Sequence, residues 1–277
     1  MSIKEQLKSY ILSKSISSEE RKLGIEVECF IFDKNDNRIP VNIGSSFSAS
    51  DLLKELELSS NGNYSLEPGG QIEWASPPSY LLKDIERDLL KHKNSLDKIL
   101  NREGLKSLYI GVDPFNNPDE IDLIGQKKYL LMNENMEKKG SLGKWMMRNT
   151  CSIQINYDIV DEPDIEELTF ILDCIHPITS YLFSNSPFIE KKPNGNLNLR
   201  NHIWENTDSD RCRSLIDHGI FKQKDLLELY LEFALQVPSI FKLGDDFNIQ
   251  SSHSALGDDL KSRFGKGLLR LEDIQAA

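Results

Sequence analysis

Polar and apolar positions alternate along residues 24–32, around Tyr64, and along 71–75, 108–112, 150–157 and 195–203, and each run predicts a strand. The repeat lengthens to that of a helix over 81–102, where Leu82, Ile85, Leu89, Leu96, Ile99 and Leu100 form one stripe and Gly104 suits the C-cap. Similar stripes predict helices over 165–183 and 224–235, with Pro177 expected to kink or break the first. The opening stretch, MSIKEQLKSYILSK, reads as a short amphipathic helix and lacks the apolar core of a signal peptide. Glu67-Pro-Gly-Gly-Gln71 reads as a tight turn between two strands. Strands and helices mix without strict βα alternation, and the strands are not continuously apolar as a doubly covered parallel sheet would require. The predicted class is therefore α+β, an antiparallel sheet with helices on one face and the other face open. No repeat, low-complexity tract or linker divides the chain, so residues 1–277 are read as one domain.

The open face is where the chemistry gathers. In LGIEVECFIF, Leu23, Ile25, Val27 and Cys29 fall on one side of a strand and Glu26 and Glu28 on the other. Side chains two apart on a strand stand about 6.5–7 Å apart at the backbone, close enough for two carboxylates to share a cation. Gln71, Glu73 and Ala75 likewise oppose Ile72 and Trp74; Thr150, Ser152, Gln154, Asn156 and Asp158 oppose Cys151, Ile153, Ile155 and Tyr157; and Asn196, Asn198, Arg200 and His202 oppose Leu197 and Leu199. A solvated face accounts for any one of these patterns. Glutamate is disfavoured inside strands, however, and like charges gathered on one sheet face repel unless a cation compensates. Carboxylate and amide oxygens are the hard ligands that suit Mg²⁺, which at such sites usually also holds substrate phosphates, so a metal-bound nucleotide is expected.

Composition narrows the classes. Apolar residues make up 39% and charged residues 28%, ordinary for a globular chain. A net charge of −11 with no basic stripe argues against nucleic acid, and no apolar run is long enough to span a membrane. The four cysteines (Cys29, Cys151, Cys174, Cys212) are scattered, which reads as free thiols in a reducing cytoplasm. There is no GxxxxGK[ST] loop and no GxGxxG after a strand; Gly140-Ser-Leu-Gly-Lys144 lacks the spacing and reads as a turn. A nucleotide would thus be held through metals and basic side chains. His202 reads as structural, Cys151 as core and Cys212 as an incidental surface thiol, the alternative being a thiol whose pKa is lowered by its cationic neighbours Arg211 and Arg213.

The stretches GIEVECF (24–30), SLEPGGQIEWAS (65–76), GSLGKWMMRNTCSIQINYD (140–158) and NSPFIEKKPNGNLNLRNHIWENTDSDR (185–211) resemble glutamate–cysteine ligases of the plant and proteobacterial type, in the glutamine-synthetase-like superfamily. The resemblance spans about residues 20–240. It implies a funnel-like antiparallel sheet with metals and substrates on its open face. It also implies a reaction: ATP phosphorylates the side-chain carboxylate of glutamate, and the amine of cysteine attacks the γ-glutamyl phosphate, the first step of glutathione biosynthesis. Carried onto matching positions, Glu26, Glu28, Glu73 and Gln154 are expected as metal ligands and Glu67 as a shaper of the acidic site. Arg200 and Arg211 are expected to bind carboxylate or phosphoryl groups, and Thr150, Asn156 and Arg148 to bind substrate in the amino-acid pocket. The partners implied are glutamate, cysteine and Mg²⁺-ATP.

Two departures qualify the resemblance. Plant members carry Arg directly before the Thr-Cys pair, whereas Asn149 stands here with Arg148 one place earlier; a regular strand would put Arg148 on the face of Thr150 and Gln154. Asn before Thr also suits related ligases, including those of ergothioneine synthesis, so another amine acceptor stays open. The family also continues with an E-V-R segment where this sequence reads LEDIQAA, so the chain is expected to lack a C-terminal part and to show weak or no ligase activity alone. A non-catalytic chain that only binds substrate, and an acidic domain with a solvated sheet face, are the remaining readings.

Overall fold

The computed structural model describes residues 2–59, 62–244 and 248–265. In chain order its elements are α1 (Ile3–Leu12), β1 (Leu23–Phe32), α2 (Ala49–Ser59), β2 (Asn63–Leu66), β3 (Ile72–Ala75), α3 (Leu82–Glu103), β4 (Lys106–Leu108), α4 (Lys127–Lys139), α5 (Gly143–Asn149) and β5 (Ile153–Tyr157). There follow α6 (Glu162–Leu182), β6 (Phe188–Ile189), β7 (Lys192–Pro193), α7 (Leu199–Glu205), α8 (Leu226–Gln236), β8 (Phe241–Leu243), β9 (Ile249–Ser251) and α9 (Leu256–Phe264).

β1 is the axis of the main sheet. Glu26 pairs with Ala75 of β3 and with Gln154 of β5, so those two strands flank β1 on opposite edges; β2 extends the sheet beyond β3, and β4 pairs with the last residues of β1. Every strand pair in the sheet is antiparallel, as the alternating pattern predicts. Cys29, Ile31 and Ile72 on one face pack against Leu52 and Leu56 of α2 and Leu96, Ile99 and Leu100 of α3. That helix ends where the sequence indicates, with Gly104 at φ 67° in the left-handed region. The other face divides. Beyond Glu28, Phe30 and Phe32 close over Cys151 in a second small core, whereas the Glu26–Glu28 end carries polar side chains.

Several expected elements change. Residues 195–203 form no strand: Leu199 and Ile203, four apart on α7, pack beside Val112, and the Asn198 side chain caps the helix by accepting from the Asn201 amide at 3.0 Å. The polar alternation there was compatible with both periods, and burial of an i, i+4 pair decided for the helix. β4 stops at Leu108, with Val112 reached only by a single bridge to Thr150. β5 begins at Ile153 because Thr150 is the C-cap of α5. α6 runs through Pro177 as one helix. Of the expected turn over Gly140–Lys144, only Ser141 and Leu142 form one; Gly143 and Lys144 already belong to α5. The apolar side of β5 is uncovered, Ile153 being 71% and Ile155 55% exposed, and α6 exposes Ile171, Ile175, Ile178 and Leu182. Among the described residues no helix is long and apolar enough to cross a membrane.

Candidate metal and substrate site

Three glutamates converge on the polar end of the sheet. Glu28 of β1 and Glu73 of β3 are directly opposite in register, and Glu67 enters from the turn that joins β2 to β3. One carboxylate oxygen from each lies within 4.8 Å of the other two, the only such acidic group of metal-binding type among the described residues. The turn is held shut by Glu67 N donating to Gln71 O at 3.0 Å and Gly70 N donating to Glu67 O at 2.7 Å. Its two glycines are required. A Cβ at Gly69 would lie 2.6 Å from the Arg148 backbone, and Gly70 sits at φ +77° with the Val41 side chain 2.9 Å from where its Cβ would be.

Neighbouring strands hold the carboxylates in place. Glu28, 8% exposed, accepts from Ser152 N at 2.9 Å, Ser152 Oγ at 3.0 Å and Gln154 Nε2 at 3.0 Å. Ser65, opposite Glu73 on β2, donates to it at 2.7 Å, and Asn156 Nδ2 donates to Glu26 Oε1 at 3.0 Å. Burial raises the Glu28 pKa, opposed by the Ser152 hydrogen bonds and the positive charge of Arg200. Glu67 is pushed up to about 7, first by burial and then by the negative charges of Glu28, Glu73 and Glu26. The negative charge at this point is therefore undercompensated by the chain itself.

The expected site residues separate into two groups. Glu28, Glu67 and Glu73 meet; Gln154 joins them through Glu28, while Glu26 lies outside the three-carboxylate group and holds Asn156. Arg200 acts electrostatically on Glu28 from the first turn of α7, stacks its guanidinium on Trp204 with 5.3 Å to the ring centroid, and leaves its buried Nε without a hydrogen-bond partner. Arg148, Thr150 and Arg211 are engaged elsewhere. Arg148 lies in the last turn of α5, not on a strand, and donates to Pro118 O at 2.8 Å and Asn133 Oδ1 at 3.0 Å. Thr150 turns its hydroxyl back to Met146 O at 2.7 Å, as a helix-terminal threonine does. Arg211 pairs with Asp208 and donates to Pro238 O.

Two further polar residues lie apart from the three glutamates. His202 is an exposed residue of α7. The thiol pKa of Cys212 is raised by burial, against the lowering its arginine neighbours suggested. All four cysteines are free. Sequence reasoning passed over Ser65 and gave Ser152 no role. The signal for Ser65 was its place two residues before Glu67, on the strand opposite Glu73; for Ser152 it was the shared face with Gln154.

Comparison with known proteins adds the family. A sequence model described as glutamate–cysteine ligase family 2 matches residues 22–270. The chain belongs to that family. It is 32% identical over 251 residues to the chloroplastic glutamate–cysteine ligase of Brassica juncea, covering 86% of this chain and 48% of that protein. It is 32% identical over 251 residues to ligase A of Oryza sativa subsp. indica, covering 86% and 51% respectively, and 36% identical over 177 residues to the Medicago truncatula ligase, covering 64% and 34%. The chain thus spans about half the length of the curated relatives with which it shares its longer matches.

Proposed function

We propose that this family 2 chain carries the metal- and phosphate-handling face of an ATP-dependent ligase that joins the side-chain carboxylate of glutamate to the amine of cysteine. The observation that carries the reading is the convergence of Glu28, Glu67 and Glu73 on one sheet face. Three converging carboxylates are a donor set suited to Mg²⁺; the Glu67 pKa is raised first by burial and then by the negative charges of Glu28, Glu73 and Glu26, and a bound ion would offset that charge. Glu28, Glu67 and Glu73 would hold the ion. Bound there, Mg²⁺ supplies charge neutralisation for phosphoryl transfer.

The chain's own residues do the orienting. Ser152 and Gln154 fix Glu28, Ser65 fixes Glu73, and Asn156 fixes Glu26. Arg200, with its unpartnered Nε, is the anion-binding group for a glutamate carboxylate or the transferred phosphoryl group. Glutamate's carboxylate is a poor acyl donor; its acyl phosphate provides a leaving group, and attack by the cysteine amine forms the amide and expels phosphate. Arg148, Thr150 and Arg211 would contact substrate only on leaving the partners that now engage them. The finer fold reading, a glutamine-synthetase-like funnel, is supported by the antiparallel sheet and its acidic open end. A cytoplasmic location is supported by the four free thiols.

The test is calorimetric titration of the chain with ATP, with and without Mg²⁺, followed by phosphate release with glutamate plus cysteine or a panel of other amines. Mg²⁺-dependent nucleotide binding that is weakened by Glu73→Gln is expected. Nucleotide binding indifferent to Mg²⁺ and to that substitution would sink the reading.

A further inference from the structure

Arg38, in the loop after β1, is a cation placed deep inside the molecule. Its side chain is 4% exposed, and its guanidinium lies over the Phe30 ring, 4.7 Å from the centroid. Burial lowers its pKa, and the one carboxylate paired with it, Asp113, is 3.4 Å away at a completely buried position. A buried charge with so long an ion pair is costly, so its hydrogen bonds need an explanation. The shortest of them, 2.7 Å, runs from Nη2 to Gly69 O, and Nη1 donates to Arg148 O at 3.3 Å. Those two carbonyls belong to the two backbone segments that touch where a Cβ at Gly69 would strike Arg148.

Each segment leads to a carboxylate of the site. Glu67 lies two residues before Gly69 in the same turn. Ser152, four residues after Arg148, begins the run whose amide, hydroxyl and Gln154 side chain hold Glu28. Gln71 adds a parallel tie, Nε2 donating to Thr150 O at 2.9 Å. We propose that Arg38 is a positioning residue for the three-glutamate site: by clamping Gly69 O and Arg148 O in one planar fork, it sets the spacing between the turn carrying Glu67 and the strand entry that orients Glu28. A guanidinium suits this because its donors diverge in a fixed plane, whereas a lysine ammonium is a single flexible point. The inference rests on the metal reading for its consequence, though not for its geometry.

The experiment compares Arg38→Met, Arg38→Lys and, as a control destabilised far from the site, Leu231→Ala in α8, all at a temperature where each is folded. Amide hydrogen exchange of residues 67–71 should quicken by about tenfold or more in Arg38→Met and less in Arg38→Lys. Mn²⁺ affinity should fall by about 10- to 100-fold in Arg38→Met, the range seen when groups that orient metal ligands are removed. Leu231→Ala should change neither. Should Arg38→Met fail to fold, Arg38→Lys carries the comparison with Leu231→Ala. Equal exchange at residues 67–71 in the Arg38 variants and the control would overturn the proposal. A parent chain that binds no Mn²⁺ would instead overturn the metal reading, with the exchange data still deciding the clamp.

Discussion

Glu28 and Glu73 face each other directly across β1 and β3, two carboxylates in the register position where a sheet ordinarily sets opposite charges or an apolar pair. The surroundings soften this conflict without removing it. Ser152 and Gln154 satisfy Glu28, Ser65 satisfies one oxygen of Glu73, and Arg200 contributes positive charge. Glu67 then brings in a third carboxyl from the turn. On the proposed metal reading, the arrangement trades stability of the unliganded sheet for a place that suits a divalent cation.

The trade predicts that Glu73→Gln stabilises the metal-free chain while removing its response to metal. Relief of the cross-strand repulsion should add about 0.2–1 kcal/mol, the usual size of such a pair term. Thermal denaturation in EDTA should show the variant melting higher than the parent, and adding Mg²⁺ should raise the parent and leave the variant unmoved. A variant that melts lower in EDTA would contradict the repulsion argument.

Glu67 predicts a pH effect with a definite sign. Its carboxyl goes from an ordinary value of 4.5 in the unfolded chain to about 7 in the fold, so the folded state binds this proton more tightly. Its contribution is therefore fully present below pH 4.5 and is lost as pH rises through 7, by at most about 3 kcal/mol. Glu67→Gln, neutral throughout, should grow more stable relative to the parent between those limits and hold a constant difference above them. Denaturant midpoints in metal-free buffer from pH 4.5 to 8 measure this, and a difference that shrinks with rising pH would refute it.

Local pattern exposed the sheet and its acidic face because residue type alternates with period two in β1 and β3, placing Val27 and Cys29 on one face and Glu26 and Glu28 on the other, although burial alternates only in β3 and takes in both faces of β1 from Val27 onward. It failed where tertiary packing chose between two compatible periods, as at residues 195–203, where Leu199 and Ile203 pull the chain into a helix. Thr150 shows a smaller failure of the same kind, since its hydroxyl bond to Met146 O belongs to the helix before it and not to the strand after it. Arg38 could not be found this way, because an arginine among Asp, Asn and Lys residues reads as solvated loop until the Gly69 and Arg148 carbonyls are brought to it. The resemblance named Glu28, Glu67 and Glu73 but gave no sign of Arg38.

The Pro-Gly-Gly turn predicts unequal costs for two alanine substitutions. Gly70 and Gly104 both have positive φ, +77° and +67°, but only at Gly70 would a Cβ collide, 2.9 Å from Val41 and 3.3 Å from Ala49. Gly104→Ala should cost about 1 kcal/mol, the strain of the left-handed conformation alone. Gly70→Ala should cost more, about 2–4 kcal/mol with the clash added, and should weaken Mn²⁺ binding because Glu67 rides on the same turn. Equal losses of stability in urea would show that the Val41 contact yields without strain.

His92 predicts a pH dependence of the opposite sign to that of Glu67. It is 2% exposed on α3, its ring stacked on Trp74 at 5.0 Å and 8° with the Tyr64 hydroxyl 3.1 Å from Nδ1. Burial, with the charge of Lys93 second, lowers its pKa from 6.5 to about 4. Between those values the unfolded chain binds the proton and the folded chain does not, so stability falls as pH drops from 6.5 to 4 and levels off below, by at most about 3 kcal/mol. His92→Phe keeps a stacked ring but cannot titrate. Relative to the parent, that variant should gain stability on acidification through this window, while Glu67→Gln gains on alkalinisation toward pH 7. Urea midpoints for both variants across pH 4 to 8 separate the two, and parallel curves for parent and His92→Phe would show that the imidazole is protonated in the fold after all.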